Sequence, residues 1–341
     1  MKQRIDAGPV MAPRRAAPRV SALAAGLVVL VAPLLAPGTA YAQAFPSKPV
    51  RFIVPYAPGG LPDTVARVVG QRASERLGQS VVVDNKPGGN GVISYQTLVA
   101  GSNDNHGFIV SDGSMLSITP LINKSATYAM GKDLAAVSLI ARSPLFLVAH
   151  PRTGVKSLRD FVDKVRASPG SYVYGSSGIG STHHLTMEAL KADLRLDLRH
   201  VPFRGSGQSV PALVGGQVDF LFSALPSMLG FVKAGQVVLV ASNEGKRSAQ
   251  VPDVPAIAEL VPGFDFSVTV GALARAGTPP EVIKRLADDI AWAVRQPDVI
   301  EKLQTAGIEP VGAGPESYLK DIERENAAMA KAGKQADLKA E

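Results

Sequence analysis

Two glycine-rich corners in this sequence have the residue types that hold an anion. One is "PGGLPD" at 58–63 and the other is "GSSGIGST" at 175–182, and each lies between a short apolar run and a helical pattern. Glycine lets backbone N–H groups approach a ligand, and the helix that follows adds about half a positive charge at its start. Glycine is also the ordinary residue of tight turns, so each corner taken alone is equally well a simple turn. Two such corners on different helices could close on one small anion.

Motifs for nucleotide binding or hydrolysis do not fit these corners. A P-loop requires a lysine that neither corner contains, and "GIGSTH" and "GSGQSV" lack the third glycine of a dinucleotide fingerprint. The nucleophile elbow G-x-S-x-G is broken at Ile179, so Ser176 and Ser177 are better interpreted as hydroxyl donors than as nucleophiles. Because no nucleophile, base and orienting group occur together at a recognisable spacing, we expect no enzyme activity.

His183 and His184 raise the question of a metal site. Adjacent residues of a helix point about 100° apart, so this pair cannot share one face as an i, i+4 pair does. No carboxylate cluster with ligand spacing accompanies the pair. We therefore expect no metal and no cofactor, with one histidine holding the corner and the other facing solvent or an opposing lobe.

The N-terminus has the pattern of a secretory signal peptide. Basic residues precede an apolar run at 20–36, and small residues at Ala40 and Ala42 form an A-x-A cleavage site. The apolar run is broken by Pro33 and is shorter than the roughly 20 residues that a spanning helix needs. The sequence predicts a signal peptide at 1–42, cleavage after Ala42 and a periplasmic protein.

Composition narrows the class of protein further. The 341 residues suffice for about two domains, and the absence of cysteine excludes disulfides and thiolate metal sites. The leader contains five basic residues and one acid, so its removal lowers the net charge from +7 to +3. No basic cluster interleaved with aromatic residues follows, so we expect no nucleic-acid partner. A mildly positive surface suits anionic solutes.

Short apolar strand patterns alternate with helical patterns along the mature chain. A strand at 50–54 leads to a helix predicted from Asp63 to Leu77, and later helices are predicted at 279–295 and about 315–331. This alternation predicts an α/β fold with parallel, helix-flanked sheets. No linker of low complexity separates two lobes, which two crossings of the chain between them would explain. We therefore expect one discontinuous lobe at 43–143 plus 268–341 and a second lobe inserted at 144–267.

Seven segments resemble the Bug family of periplasmic solute-binding proteins, the receptors of tripartite tricarboxylate transporters. In order they are "FPSKPVRFIVPYAPGGLPDTVAR", "VVVDNKPGGNG", "FLVAHPRTGVKSLRDFV", "YGSSGIGSTHHL", "VPFRGSGQSVPALVGGQVDFLF", "RSAQVPDVPAIAEL" and "ARAGTPPEVIKRL". The resemblance covers essentially the whole mature chain. It implies a type II periplasmic-binding-protein fold, in which two α/β lobes have a ligand cleft between them.

The resemblance also implies which residues bind the ligand. In the family, a ligand carboxylate is held between the two corner loops by backbone amides, hydroxyl groups and water. Carried over by position, the ligand-binding residues are Pro58, Gly59, Gly60, Asp63, Ser176, Ser177, Gly178, Gly180, Ser181, Thr182 and Arg204.

The role of Asp63 stays open at this point. A carboxylate beside a bound carboxylate is repulsive, so Asp63 either holds free N–H groups at the start of its helix or meets the amine of an amino-acid ligand. Arg204 is either a cleft cation or a solvated loop residue.

The resemblance implies a receptor that captures a small carboxylate: a di- or tricarboxylate, an aromatic acid or an amino acid. It implies delivery to the membrane permease of a tripartite tricarboxylate-type transporter, by a monomer. The alternative function is a ligand-sensing protein that signals to a membrane sensor.

Overall fold

The computed structural model describes residues 45–101, 104–117, 119–248 and 250–335. The predicted signal peptide and its cleavage site after Ala42 lie outside these residues. Within the described ranges, no helix combines the length and apolar character needed to cross a membrane.

Strands and helices alternate along the described chain, as the sequence predicts. The strands are β1 (Val50–Val54), β2 (Val81–Asn85), β3 (Gly107–Asp112), β4 (Leu134–Ser143), β5 (Phe146–Ala149), β6 (Val173–Ser176), β7 (Arg199–Pro202), β8 (Phe220–Ser223), β9 (Val238–Ser242), β10 (Val268–Arg275) and β11 (Glu309–Ala313). The α-helices are α1 (Leu61–Leu77), α2 (Val92–Ala100), α3 (Ser114–Ser117), α4 (Thr119–Ile122), α5 (Leu158–Ala167), α6 (Thr182–Leu194), α7 (Ser206–Val214), α8 (Leu229–Lys233), α9 (Pro280–Val294), α10 (Pro297–Thr305) and α11 (Pro315–Gln335).

The strands form two sheets. The first has the order β11-β4-β10-β3-β1-β2 and the second the order β7-β6-β8-β5-β9. We call the first sheet with α1 to α4 and α9 to α11 lobe 1, and the second sheet with α5 to α8 lobe 2. The predicted lobe boundaries at 143/144 and 267/268 fall in the connections β4–β5 and β9–β10, and as exact positions they stay a prediction.

The sheets are mixed rather than purely parallel, which differs from the sequence-based expectation. Strand β1 is parallel to β2 and β3, whereas β10 is antiparallel to β3 and β4, and β5 is antiparallel to β8 and β9. The reason is that the chain crosses from one lobe to the other twice, after β4 and after β9. Strands β5 and β10 each enter a sheet from the other lobe, so they run opposite to the strands that end at the shared edge.

Helix α1 positions the first corner. Its apolar positions Val65, Val69, Ala73 and Leu77 are buried as predicted, and Gly78 ends the helix in the left-handed conformation. The helix begins two residues earlier than predicted, at Leu61, because a proline is well tolerated in the first turn. Helices α5 and α10, strand β11 and the short helices α3 and α4 were not predicted.

The last helix packs against β10 through a close contact that only glycine permits. A Cβ atom built on Gly271 would lie 2.2 Å from Cζ of Tyr318, a fully buried side chain of α11. Gly271 itself is buried in the middle of β10. This contact joins the C-terminal helix to the central strand of lobe 1.

We expect Gly271→Ala to lower the free energy of unfolding by about 1–3 kcal/mol, because the added methyl group overpacks the core. Equilibrium unfolding in guanidinium chloride measures this change. Gly314→Ala is the control, since its Cβ would meet open space. Equal stability of the two variants would contradict the close packing of α11 on β10.

Candidate functional site

Both glycine corners lie where a parallel strand ends and a helix begins. The first joins β1 to α1 and the second joins β6 to α6. In open α/β sheets this carboxyl edge is the usual place of ligand binding. The structure thus puts the two sequence-predicted loops on equivalent edges of the two lobes.

The first corner leaves N–H groups of α1 without a cap. Pro58 and Gly59 are exposed and Gly60 is buried. Gly59 has φ +86°, a conformation that favours glycine. Gly60 is the N-cap and offers no side-chain acceptor, so the first N–H groups of the helix have no partner within it. These groups can bind an anion.

Asp63 holds this corner in shape. Its carboxylate accepts hydrogen bonds from Gly59 N (2.9 Å), Arg67 Nε (3.0 Å) and Asn85 Nδ2 (2.9 Å), and the residue is only 3% exposed. The charge is paired with Arg67 and three donors already occupy its oxygens. Of the two roles left open by the sequence, the geometry favours the structural one.

The serine hydroxyl groups of the second corner also have protein partners. Ser176 Oγ lies 2.6 Å from His200 Nε2, and Ser177 Oγ lies 3.2 Å from Ser206 Oγ. Ser181 is the N-cap of α6, and its hydroxyl accepts from His184 N at 3.3 Å. Gly178 has φ +128°, so it too needs glycine. Ser176 is fully buried, so its contact with His200 supports the loop rather than a reaction.

Both histidines that follow this corner are buried, so neither faces solvent, which was one of the two orientations expected for the second histidine. His184 Nδ1 accepts the N–H of Gly180 at 3.1 Å and so holds the corner as predicted. His183 Nε2 lies 3.2 Å from Ser206 Oγ in the same lobe, and its Nδ1 is buried without a partner. In the described ranges, no three His, Cys, Asp or Glu side chains form a group that could hold a metal ion.

A stack of rings supports the second corner from behind. The ring centroid of His200 lies 4.1 Å from that of His184 and 4.7 Å from that of Tyr174. Burial lowers the pKa of His183 and of His184 to about 4, and burial together with the charge of His184 lowers the pKa of His200 to about 3. The three imidazoles are therefore neutral at neutral pH.

Helix α7 adds a third glycine corner that sequence reasoning did not assign to the site. Its N-cap, Gly205, has no side-chain acceptor, and Ser206 begins the helix. Arg204, which was predicted as a ligand-binding residue, has an exposed side chain, and its backbone carbonyl accepts the N–H of Ala57 at 3.1 Å. The rule that identifies the other corners, a glycine directly before the start of a helix, applies equally to "RGSG".

Asn90 was also missed. Its amide Nδ2 donates to Thr119 Oγ1 at 2.8 Å and to the carbonyl of Gly180 in lobe 2 at 3.1 Å, and its Oδ1 accepts from Tyr56 Oη at 2.9 Å. The same Tyr56 hydroxyl lies 2.9 Å from Asp112 Oδ1. Burial raises the pKa of both Tyr56 and Asp112. The only sequence signal was the glycine turn "KPGGNG", to which no role was given.

The chemistry of this region is that of anion capture. The starts of α1, α6 and α7 each carry a partial positive charge, and the two loops in lobe 2 lie against or near the first corner of lobe 1. Asp63 is already paired with Arg67, so its negative charge does not cancel the partial positive charges at the helix starts. The geometry brings the first corner against the start of α7 and brings Asn90 against Gly180 of the second corner, and it leaves the Arg204 side chain in solvent.

A family model matches the chain from residue 65 to 334, and its description is "Tripartite tricarboxylate transporter family receptor". Protein BugT of Bordetella pertussis is 31% identical over 293 residues, which cover 85% of this chain and 89% of BugT. The structure of Rhodopseudomonas palustris Rpa4515 with adipate has a TM-score of 0.83 at 30% identity, covering 87% of this chain and 100% of that one. MatC from the same organism, with bound malate, has a TM-score of 0.79 at 28% identity, covering 84% and 99%. These similarities confirm the fold class predicted from the sequence.

The buried histidines predict how stability depends on pH. In the unfolded chain a histidine has a pKa near 6.5, so between pH 6.5 and pH 4 the unfolded state binds more protons than the folded state. We expect the free energy of unfolding to fall as the pH is lowered through this window. The variant His184→Gln lacks one group that takes up a proton on unfolding. The free energy of unfolding should therefore change less steeply with pH, by up to about 1.4 kcal/mol per pH unit. Chemical unfolding at several pH values measures both slopes, and equal slopes would contradict a neutral, buried His184.

Proposed function

Because this chain belongs to the tripartite tricarboxylate transporter receptor family, we propose that it binds a small dicarboxylate between its two lobes. Membership confirms the Bug-family resemblance of the sequence. The family consists of exported substrate-binding receptors and not of enzymes. Cleavage of the leader after Ala42 stays a prediction.

The observation that carries this proposal is the meeting of uncapped helix starts. Gly60 and Gly205 provide no side-chain acceptor for the first N–H groups of α1 and α7. A carboxylate placed there accepts these N–H bonds and gains the favourable field of the helix dipoles. The amides then replace the hydration that the carboxylate loses on burial.

The state of Asp63 favours a ligand without an amine. An amino-acid ligand would need a free carboxylate for its ammonium group, and the oxygens of Asp63 already accept from Gly59, Arg67 and Asn85. Two structurally similar proteins have adipate and malate bound, and both ligands are dicarboxylates. We therefore infer a dicarboxylate rather than an amino acid.

The binding mechanism is a shift of population between open and closed lobes. A ligand that contacts the first corner from lobe 1 and the second corner from lobe 2 binds the closed form better, so it draws the protein into that form. The closed receptor then delivers its ligand to the permease of a tripartite tricarboxylate-type transporter. The proposed ligand contacts are the corner residues named from the sequence, without Asp63 and the Arg204 side chain and with the N–H groups of α7 added.

We expect dicarboxylates to raise the melting temperature of the mature protein after it has been refolded to remove copurified ligand. A ligand at about 100 times its dissociation constant stabilises the folded state by about 2.7 kcal/mol. A thermal-shift screen compares mono-, di- and tricarboxylates with amino acids at equal concentration and pH. A response to amino acids alone would overturn the structural role of Asp63, and no response to any acid would overturn the carboxylate receptor.

We expect the double variant Ser177→Ala/Thr182→Ala to weaken dicarboxylate binding by about 1–3 kcal/mol, because two hydroxyl donors are lost. Isothermal titration calorimetry measures the affinity. The control is Ser171→Ala/Thr305→Ala, which makes the same chemical change at two exposed positions. Unchanged affinity in the first variant would remove these hydroxyls from the site.

A further inference from the structure

The two lobes touch each other directly at positions beside the proposed binding site. Ala57 N donates to the carbonyl of Arg204 at 3.1 Å, and Asn90 Nδ2 donates to the carbonyl of Gly180 at 3.1 Å. In each pair the donor belongs to lobe 1 and the acceptor to lobe 2. Both hydrogen bonds join one protein group directly to another, with no ligand between them.

Gly207 lies in the middle of this contact. A Cβ atom built on it would lie 2.2 Å from the carbonyl oxygen of Pro58 and 3.4 Å from Cβ of Ala57. The nearest atom belongs to the backbone of the other lobe, so no side-chain rotation relieves the clash. Gly207 has no positive φ, hence its own conformation would accept alanine. Glycine is therefore required here by the close contact between the lobes and not by the backbone conformation of residue 207.

The side chain of Asn90 is also suited to its contact across the lobes, because it supplies a hydrogen-bond donor. Its other contacts are hydroxyl groups of Tyr56, Ser114 and Thr119, which can donate or accept. The carbonyl of Gly180 can only accept, so it requires a donor on residue 90. Asn90 also has φ +44°, a left-handed conformation that asparagine tolerates well.

We propose that Asn90 and Gly207 form an interlobe latch that holds the closed conformation without a contribution from a ligand. Asn90 supplies a hydrogen bond that exists only when the lobes meet, and Gly207 leaves the space that lets the backbones meet. Only the expected effect of the latch on ligand affinity rests on the proposed function. Since the observed affinity scales with the fraction of binding-competent protein, a tenfold loss of the closed form weakens binding about tenfold.

The test measures the distance between the lobes in ligand-free protein. The chain has no cysteine, so spin labels attach only at introduced sites, and Gln71→Cys on α1 with Arg159→Cys on α5 places one exposed label on each lobe. Pulsed electron paramagnetic resonance then gives the distance distribution. We expect a closed population with Gly207 and its loss in Gly207→Ala. The control is Gly230→Ala, whose Cβ meets open space in lobe 2.

Identical distributions for Gly207 and Gly207→Ala would overturn the latch, as would an equal change in Gly230→Ala. Because no ligand is present, this result does not depend on whether the protein binds a dicarboxylate. If Gly207→Ala does not fold by circular dichroism, Asn90→Asp decides instead. That variant keeps the size of the side chain but places a carboxylate against the Gly180 carbonyl, so retention of the closed population would overturn the proposal.

Discussion

The uncapped N–H groups at the starts of helices are the constraint on which the rest of the site depends. Gly60 and Gly205 stand at N-cap positions where serine, threonine or aspartate would ordinarily accept a hydrogen bond. Only α6 among the three has such a cap, Ser181. Glycine therefore leaves donors free and gives close access to them. An anion is the partner that satisfies both the donors and the dipoles behind them.

The charged groups near the corners are arranged so that this field is preserved. Asp63 is paired with Arg67 and tied to Gly59, so its charge stabilises the loop. Behind the second corner, burial keeps His184 and His200 neutral, so they support the loop without adding charge. The backbone dipoles at the helix starts therefore contribute a positive field at the corners. Backbone donors are rigid, and so they favour a ligand by geometry as well as by charge.

The path of the chain places the connections between the lobes at the edge where the corners lie. Strands β4 and β9 each leave their sheet at the edge where the corners lie, and β5 and β10 enter the opposite sheet there. Two crossings join the lobes at this edge, one through residues 144–145 and the other through the longer segment 243–267. The same crossings explain the antiparallel pairs that β5 and β10 make. They also bring Ala57 and Pro58 against the start of α7, where two glycines permit contact between backbones.

The sequence by itself determined the fold class, the helical face of α1 and the two corners at Pro58–Asp63 and Gly175–Thr182, because periodicity and glycine content are local properties of the chain. It also carried the family resemblance. It did not determine the partners of Asp63, the burial of both His183 and His184, or the antiparallel strands β5 and β10. Those depend on residues far apart in the chain, such as Asn85 for Asp63 and Ser206 for His183. Only the tertiary structure decided that the start of α7 and Asn90 belong to the same region, because a contact between two lobes leaves no periodic trace in either segment.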